Sequence, residues 1–295
     1  MASLESLIGA TPMVDLSRVV DAPPEVKLMA KLEGNNPGGS VKDRAALGMF
    51  MGAEMRGELN TETPIFEATS GNTGIALAMM AARRGYKLTL VMPETMTVER
   101  RAIMAAYGAE FILVSKEDGM EGAIDLVHEK VAAGEGICFD QFSNDDNWRA
   151  HYRTTGPEIW NDTGGRVSHF VSAMGTTGTI MGVSRALKEK SSAIKIIGVQ
   201  PEEGSQIAGI RRWPEAYLPK IYDASRVDYV MDVTQQDARE MTRRLAREEG
   251  VFCGLSAGGA VMAAVRVAES LEESGTVVVI LPDRGDRYLS TDLFM

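Results

Sequence analysis

Short segments rich in β-branched and aromatic residues alternate with longer helical segments, and this alternation restricts the possible folds more than any other feature of the chain. The strand-like segments are 65–68, 87–92, 111–114, 169–172, 194–199 and 277–281. The helical segments are 42–56, 75–84, 97–107, 180–190, 235–249 and 260–272. Because strands that are separated by helices usually pair in parallel, this order predicts an α/β fold with parallel sheets that are covered by helices.

Two breaks rich in Asn, Gly, Pro and Asp interrupt this pattern, near 34–39 and 143–147. Such clusters mark loops between compact regions. They predict a smaller α/β lobe over 36–146 and a larger α/β lobe built from 1–35 and 147–295. The chain would enter the larger lobe, build the smaller one, and return.

The charge balance and the cysteine count exclude several classes of protein. The chain has 31 basic and 41 acidic side chains and a net charge of −10, which does not suit binding to nucleic acid or to an anionic membrane. Two cysteines do not make a secreted disulfide framework. The three scattered histidines offer no metal cluster. We find neither a signal peptide nor an apolar run of about 18 residues, so we expect a cytoplasmic protein.

Four glycine-rich turns lie at or just before helix starts and carry most of the functional information. They are 36–42, 69–74, 175–179 and 254–259. In open parallel sheets, loops outside the carboxyl ends of the strands are where ligands bind. One such turn is weak evidence, but four in one chain favour a ligand site.

The turn Gly175-Thr176-Thr177-Gly178-Thr179 follows a strand and opens a helix. Free N–H groups and the helix dipole favour an anion there, and three hydroxyls add donors. The turn lacks the lysine of the P-loop that binds nucleoside triphosphates, and the chain contains no G-x-G-x-x-G dinucleotide-binding motif. It therefore predicts a phosphate monoester site, with a threonine-rich helix cap as the alternative.

The segment 254–258 matches the G-x-S-x-G pattern of a hydrolase nucleophile elbow. In that fold the base histidine follows the serine, whereas the last histidine here is His169, well before Ser256. We therefore reject the hydrolase interpretation. Ser256 is interpreted as a hydroxyl at a helix start, either in a ligand site or as a simple N-cap.

Lys42 lies at a predicted helix start, two residues after Ser40. The positive end of a helix, together with burial, lowers the pKa of a lysine and so favours the neutral amine that can form a Schiff base with an aldehyde. A surface lysine beside Asp43 is the alternative. In combination with a phosphate site, Lys42 predicts pyridoxal 5'-phosphate as cofactor.

Four segments, 31–44, 67–74, 174–179 and 284–291, resemble the O-acetylserine sulfhydrylases of the cysteine synthase/cystathionine β-synthase family. The resemblance covers nearly the whole chain. It implies a fold-type II pyridoxal-phosphate enzyme, similar to tryptophan synthase β, with two lobes that each contain a twisted, mainly parallel sheet flanked by helices. It also implies that the smaller lobe is mobile and that the enzyme is a homodimer.

The resemblance assigns roles residue by residue. Lys42 would be the catalytic lysine and would hold the cofactor covalently. Asn72 would bind the hydroxyl of the cofactor ring, and Ser256 would face its nitrogen. The phosphate would be bound by Gly175, Thr176, Thr177, Gly178 and Thr179. The substrate carboxylate would be bound by Thr69, Ser70, Gly71, Thr73 and Gln141.

The implied reaction is β-replacement on O-acetyl-L-serine with sulfide, giving L-cysteine and acetate. The segment 209–214 resembles the B form of these enzymes, which implies thiosulfate as a second sulfur donor and S-sulfocysteine as its product. Arg211 and Arg212 would bind that anion; alternatively they pair with Glu202, Glu203 or Asp223. Pro282 departs from the B form, in which a cysteine is expected.

Two other interpretations remain open at this point. The first is a different β-replacing or β-eliminating member of the same fold, such as a serine-using cystathionine synthase or a dehydratase. The second is a catalytically silent binding homologue, for example one that docks the tail of serine acetyltransferase. The presence of Lys42 argues against the silent homologue.

Overall fold

A computed structural model describes residues 3–69, 71–94 and 98–295 and divides the chain into two compact units. The smaller unit is the continuous segment Lys42–Asn147, and the larger unit combines the chain up to Val41 with the chain from Trp148 onward. The smaller unit thus begins at Lys42, six residues after the predicted start of the smaller lobe at residue 36. The reason is a long-range contact: Ser40 forms a β-bridge with Asp283, which ties 36–41 to the larger unit.

The larger unit is built on a six-stranded sheet with the order β1-β2-β10-β7-β8-β9. All neighbouring strands are parallel except β1, which is antiparallel to β2. The strands are β1 Met13–Asp15, β2 Val26–Leu32, β7 His169–Ala173, β8 Lys195–Pro201, β9 Tyr229–Val233 and β10 Gly275–Leu281. The helices of this unit are α6 Thr155–Asp162, α7 Gly178–Lys190, α8 Gln235–Arg244 and α9 Leu255–Glu269.

Strand β10 shows why this sheet is buried on both faces. Val277, Val279 and Leu281 pack into a core that includes residues of α8 and α9. The alternate residues, Val278 and Ile280, pack into a second core with α6 and α7. Because side chains alternate across a strand, a continuous apolar segment is the sequence expected for a strand covered on both sides.

The smaller unit has a four-stranded parallel sheet with the order β5-β4-β3-β6. Helix α4 packs on one face, where it contacts Phe66, Ala68 and Val91. Phe50 of α1 is also buried, and its ring lies edge-on to Phe139. The elements are β3 Ile65–Ala68, β4 Leu88–Pro93, β5 Glu110–Val114, β6 Ile137–Cys138, α1 Lys42–Met55, α2 Asn72–Arg84, α3 Val98–Ala106 and α4 Gly119–Ala132; α5, Asp145–Arg153, contains the boundary between the units.

The predicted strands are present, and most helix ends are close to their predicted positions. Helix α2 ends at Gly85, which adopts a left-handed conformation with φ 77°. Helix α8 is shorter than predicted, because the chain continues as a π-helical segment over Leu245–Glu249. The predicted N-cap of α3, Thr97, lies outside the described residues. Within the described part of the chain, no helix is long and apolar enough to cross a membrane.

Candidate active site

Each sheet carries glycine-rich loops at the carboxyl ends of its strands, where ligand sites form in such folds. In the smaller unit, β3 leads through residues 69–71 into α2. In the larger unit, β7 leads through residues 174–177 into α7, and β10 leads into residues 282–284. The predicted site residues therefore fall into two sets, one in each unit.

The loop before α7 has the features of an anion site. Thr177 precedes the helix with φ 68°, a conformation that is unusual for a β-branched residue and that costs of order 1–3 kcal/mol. Its side chain is buried, and its Oγ1 has no hydrogen-bond partner in the described part of the chain. A buried hydroxyl without a partner is costly unless a ligand accepts its proton. A phosphate at the helix N-terminus fits this arrangement.

Two side chains that the sequence analysis did not single out support this loop. His151 of α5 is buried, with Nε2 3.3 Å from Thr179 Oγ1 and Nδ1 2.8 Å from Thr155 Oγ1. The indole Nε1 of Trp213 donates a hydrogen bond of 2.8 Å to the carbonyl oxygen of Gly175. Neither residue lies near the loop in sequence, so no local pattern pointed to these contacts.

Two glycines allow a close approach where the segment 207–213 passes between this loop and α9; Gly209 also has a φ of 90°. A Cβ on Gly175 would lie 3.1 Å from the Gly209 carbonyl oxygen, and a Cβ on Gly209 would lie 3.2 Å from Ser256 Oγ. Ser256 is buried in the first turn of α9. Gly175, Gly209 and Ser256 are thus brought together in the larger unit. Because these two glycines have no side chains, the backbone of the segment 207–213 approaches both the loop before α7 and the Ser256 hydroxyl closely.

The chain that leads to Lys42 is fixed by the residues after β10. The N–H of Val41 donates a 2.8 Å hydrogen bond to the Pro282 carbonyl oxygen. The guanidinium of Arg287, which is buried, donates to the carbonyl oxygen of Gly38. Lys42 follows as the first residue of α1 and is half-buried. Arg287 lies in the segment 284–291, which carries part of the family resemblance, but its role as a support for this turn was not predicted.

In the smaller unit, the predicted carboxylate-binding residues form a hydrogen-bonded group at the end of β3. Thr73 Oγ1 donates to Gln141 Oε1 at 2.7 Å, and Gln141 Nε2 donates to the Ala68 carbonyl oxygen at 3.4 Å. Thr69 is buried, and its Oγ1 accepts from the N–H of Gly71 at 3.5 Å. Asn72 is the first residue of α2. Ser70 lies outside the described residues.

The adjacent arginines point to different surroundings. Arg212 donates to Asp232 and to the Pro201 carbonyl oxygen. Its acidic partner is therefore none of the three acids named from the sequence, because β9 brings Asp232 beside this segment. The guanidinium of Arg211 lies 5.3 Å from the centre of the Trp213 ring. Arg211 lines a cavity of about 90 Å³ together with Met174, Thr177, Gln200, Trp213, Leu218, Tyr222 and Val230.

Comparisons with known proteins agree with this arrangement. A family profile described as "Pyridoxal-phosphate dependent enzyme" matches residues 4–283. The chain is 60% identical to cysteine synthase B of Escherichia coli, covering 100% of this chain and 96% of that protein. It is 59% identical to cysteine synthase B of Pseudomonas aeruginosa, covering 99% and 97%. The crystal structure of a cysteine synthase from Entamoeba histolytica matches with a TM-score of 0.94 at 42% identity, covering 100% and 90%. The predicted fold class and resemblance are confirmed.

Proposed function

The chain belongs to the pyridoxal-phosphate dependent enzymes, and from that premise we propose that it makes L-cysteine and acetate from O-acetyl-L-serine and sulfide. The observation that carries this proposal is the identity of about 60% over the full chain to two cysteine synthase B proteins. The loops at the carboxyl ends of both sheets supply the residue types that this reaction requires.

We propose that the larger unit holds the cofactor through the loop before α7 and through Ser256. Thr177 Oγ1 has no partner in the described chain and would donate to the phosphate, with the N–H groups of α7. His151 would keep the Thr179 hydroxyl in place. When bound, pyridoxal phosphate supplies an electron sink that stabilises negative charge at the substrate Cα.

We assign Lys42 two tasks. Its Nζ would hold the cofactor covalently in the resting enzyme. As a free amine, Nζ would take the proton from the substrate Cα as a general base while acetate leaves Cβ. After sulfide has added to Cβ, Nζ would return the proton to Cα. A lysine in the first turn of a helix suits this role, because the helix dipole favours its neutral form.

We propose that the smaller unit binds the substrate carboxylate at the start of α2. Helix N-termini favour anions, and hydroxyl and amide donors lie close by. Asn72 would contact the hydroxyl of the cofactor ring. The carboxylate would be bound by Thr69, Ser70, Gly71, Thr73 and Gln141. The hydrogen bond between Thr73 and Gln141 supports this assignment, because it fixes two of these side chains relative to each other.

A comparison of sulfur donors and acceptors tests the proposal. Purified protein would be assayed with sulfide, thiosulfate or homocysteine against O-acetylserine and O-phosphoserine. We expect cysteine and acetate in equal amounts from O-acetylserine and sulfide. A preference for homocysteine would indicate a cystathionine synthase, and pyruvate without a sulfur donor would indicate a β-eliminating enzyme. Absence of the visible absorbance of bound cofactor would indicate a silent homologue.

Thr177→Ala is expected to weaken retention of the cofactor by roughly 10- to 150-fold, because a hydrogen bond to a charged oxygen is worth about 1.5–3 kcal/mol. The absorbance of the cofactor that remains bound should be unchanged. Equilibrium dialysis against free cofactor measures the effect. Thr163→Ala is a matched control, because its hydroxyl is also buried but donates to the Ile159 carbonyl oxygen. Equal retention by both variants would contradict the phosphate site.

We further propose thiosulfate as a second sulfur donor, because Arg211 and Thr177 line the same cavity. A buried dianion needs paired donors, and a guanidinium offers two. Arg211→Ala is expected to lower kcat/KM for thiosulfate by about 10-fold or more and to change kcat/KM for sulfide much less. Arg212→Ala is the matched control, because Arg212 is held by Asp232. Equal losses for both donors in the Arg211 variant would make that arginine structural.

We also propose a cytoplasmic homodimer, on the basis of the family resemblance. Light scattering on the eluting protein would report the mass of the particle, and a monomer at all concentrations would contradict the dimer. Binding of the tail of serine acetyltransferase rests on the same resemblance, and titration with a synthetic peptide of that tail would test it. No nucleic-acid or membrane partner is proposed for a chain with a net charge of −10.

A further inference from the structure

A buried carboxylate lies at the end of β3, two residues before the substrate-binding loop. Glu67 is 1% exposed and is paired in register with the apolar Leu90 of β4. A buried carboxylate is costly unless it is hydrogen-bonded. The proposed reaction gives Glu67 no role, so the burial of this carboxylate needs an explanation.

Three donors from the segment after β6 converge on the two oxygens of Glu67. Oε1 accepts the N–H of Gln141 at 3.1 Å. Oε2 accepts the N–H of Asp140 at 3.2 Å and the thiol of Cys138 at 3.3 Å. Asp140 has φ 51°, so the chain turns sharply at this point. Glu67 therefore acts as the acceptor around which the turn 138–141 is folded.

The same turn presents Gln141 to the substrate-binding loop. Gln141 is buried, and its side chain accepts from Thr73 Oγ1 at 2.7 Å and donates to the Ala68 carbonyl oxygen at 3.4 Å. Its own carbonyl oxygen accepts from Asn147 Nδ2 at 2.7 Å. The backbone N–H of Gln141 is bound by Glu67, so movement of that carboxylate would move the amide side chain that contacts Thr73.

We propose that Glu67 is a positioning residue for substrate binding, which acts through Gln141 and does not touch the substrate. This inference rests on the proposed function for the identity of the substrate, but its structural part concerns the turn 138–141 and the loop 69–74 alone. A carboxylate suits this task, because each of its two oxygens accepts hydrogen bonds and it offers no donor of its own when ionised.

The charge of Glu67 is set by opposing effects. Burial raises the pKa of Glu67 to about 7, and the negative charge of Asp140 acts in the same direction, while the hydrogen bonds from Gln141, Cys138 and Asp140 lower it. The folded protein thus binds this proton more tightly than the unfolded chain. The free energy of unfolding should therefore fall as the pH rises from about 4.5 to about 7 because of this group.

The test uses Glu67→Gln in the holoenzyme. A glutamine keeps the shape but places an NH₂ donor against one of the backbone N–H groups, so the turn should loosen. We expect the KM for O-acetylserine to rise by about 10-fold or more, with kcat changed by less than about 3-fold. Hydrogen exchange of the peptides that cover 68–75 and 138–142 should accelerate. The fall of stability between pH 5 and 7 should be smaller than in the wild-type protein.

Three further substitutions, Glu54→Gln, Gln141→Ala and Cys138→Ala, make the result decisive. Glu54→Gln is the matched control, because Glu54 is a carboxylate of the same unit that is bound by Arg84 and Tyr86, outside the turn 138–141 and the loop 69–74. In a double-mutant cycle, Glu67→Gln added to Gln141→Ala should raise KM little further. Additive effects in this cycle, or wild-type exchange in both peptides, would overturn the proposal.

If Glu67→Gln does not fold, Cys138→Ala provides a second test, because it removes one of the three donors to Glu67. This variant should accelerate exchange in the same two peptides to a smaller extent, and no change in exchange would also overturn the proposal.

Exchange and stability are measured without turnover, so they separate this inference from the proposed function. If the wild-type protein does not use O-acetylserine but Glu67→Gln accelerates exchange in the two peptides, the proposed substrate is contradicted and the positioning role is supported. If the wild-type protein and the Glu67→Gln variant use O-acetylserine equally well, only the positioning role is contradicted.

Discussion

Lys42→Ala is expected to lower turnover of O-acetylserine by at least about 10³-fold while leaving the fold intact, because it removes both the covalent link to the cofactor and the general base. Alanine is the best helix former, so the first turn of α1 should persist. The N–H of Val41 would still be bound to the Pro282 carbonyl oxygen. Circular dichroism should therefore match that of the wild-type protein.

Borohydride reduction followed by peptide mapping identifies the lysine that holds the cofactor. The label should appear on the peptide that contains Lys42 and be absent from the variant. The other lysines offer useful contrasts. Lys31 is fully buried and paired with Glu158 and Asp162, and Lys188 is paired with Asp228. Lys188→Ala should keep its activity, and a label on Lys31 or Lys188 would contradict the assignment.

Gly258→Ala is expected to lower the free energy of unfolding by about 3 kcal/mol, at the upper end of the usual cost of overpacking. A Cβ on Gly258 would overlap the Ala238 carbonyl oxygen and Thr242 Oγ1 of α8 and would lie 2.8 Å from the Thr242 nitrogen. Backbone atoms cannot rotate away, so α8 and α9 would have to separate. Thermal unfolding should show a Tm lower by roughly 6–12 °C.

The neighbouring glycine provides the control for this prediction. A Cβ on Gly259 would meet only side-chain atoms, with Ile210 Cδ1 at 2.9 Å and Val233 Cγ2 at 3.5 Å. The gain in helix propensity is the same for both variants. We therefore expect Gly259→Ala to be much less destabilising. Similar Tm values for the two variants would show that α8 and α9 can adjust at this position.

The sequence was most informative where local rules decide the structure. Helix α2 ends at a left-handed glycine, Gly85, and α7 begins inside the predicted phosphate loop. These helix ends depend on neighbouring residues, so the hydrophobic pattern and the positions of the glycines were sufficient to predict them. Strand β2 was missed, because lysines interrupt its apolar pattern; Lys31 is nonetheless buried, since α6 supplies two carboxylates.

The remaining features depend on contacts between distant parts of the chain. Residues 36–41 belong to the larger unit because of Asp283, more than 200 positions away. For the same reason, the alternative partners suggested for Arg212, namely Glu202, Glu203 and Asp223, did not include Asp232, which lies on the distant strand β9. Glu67 was predicted as a strand residue at the start of the segment 67–74, but nothing in its neighbourhood indicates that the turn 138–141 folds around it. The roles of the predicted site residues remain predictions.

The position of β10 has a consequence for synthesis on the ribosome. Strand β2 pairs with β10 over seven residues, Val26 to Leu32, and β10 separates it from β7. The N-terminal strands β1 and β2 therefore cannot pair with the rest of the sheet until β10, which ends at residue 281, has been synthesised. By then the whole of Lys42–Asn147, a continuous segment, is already available. We expect nascent chains to acquire protease resistance first in this segment, and in the N-terminal strands only after β10 has emerged.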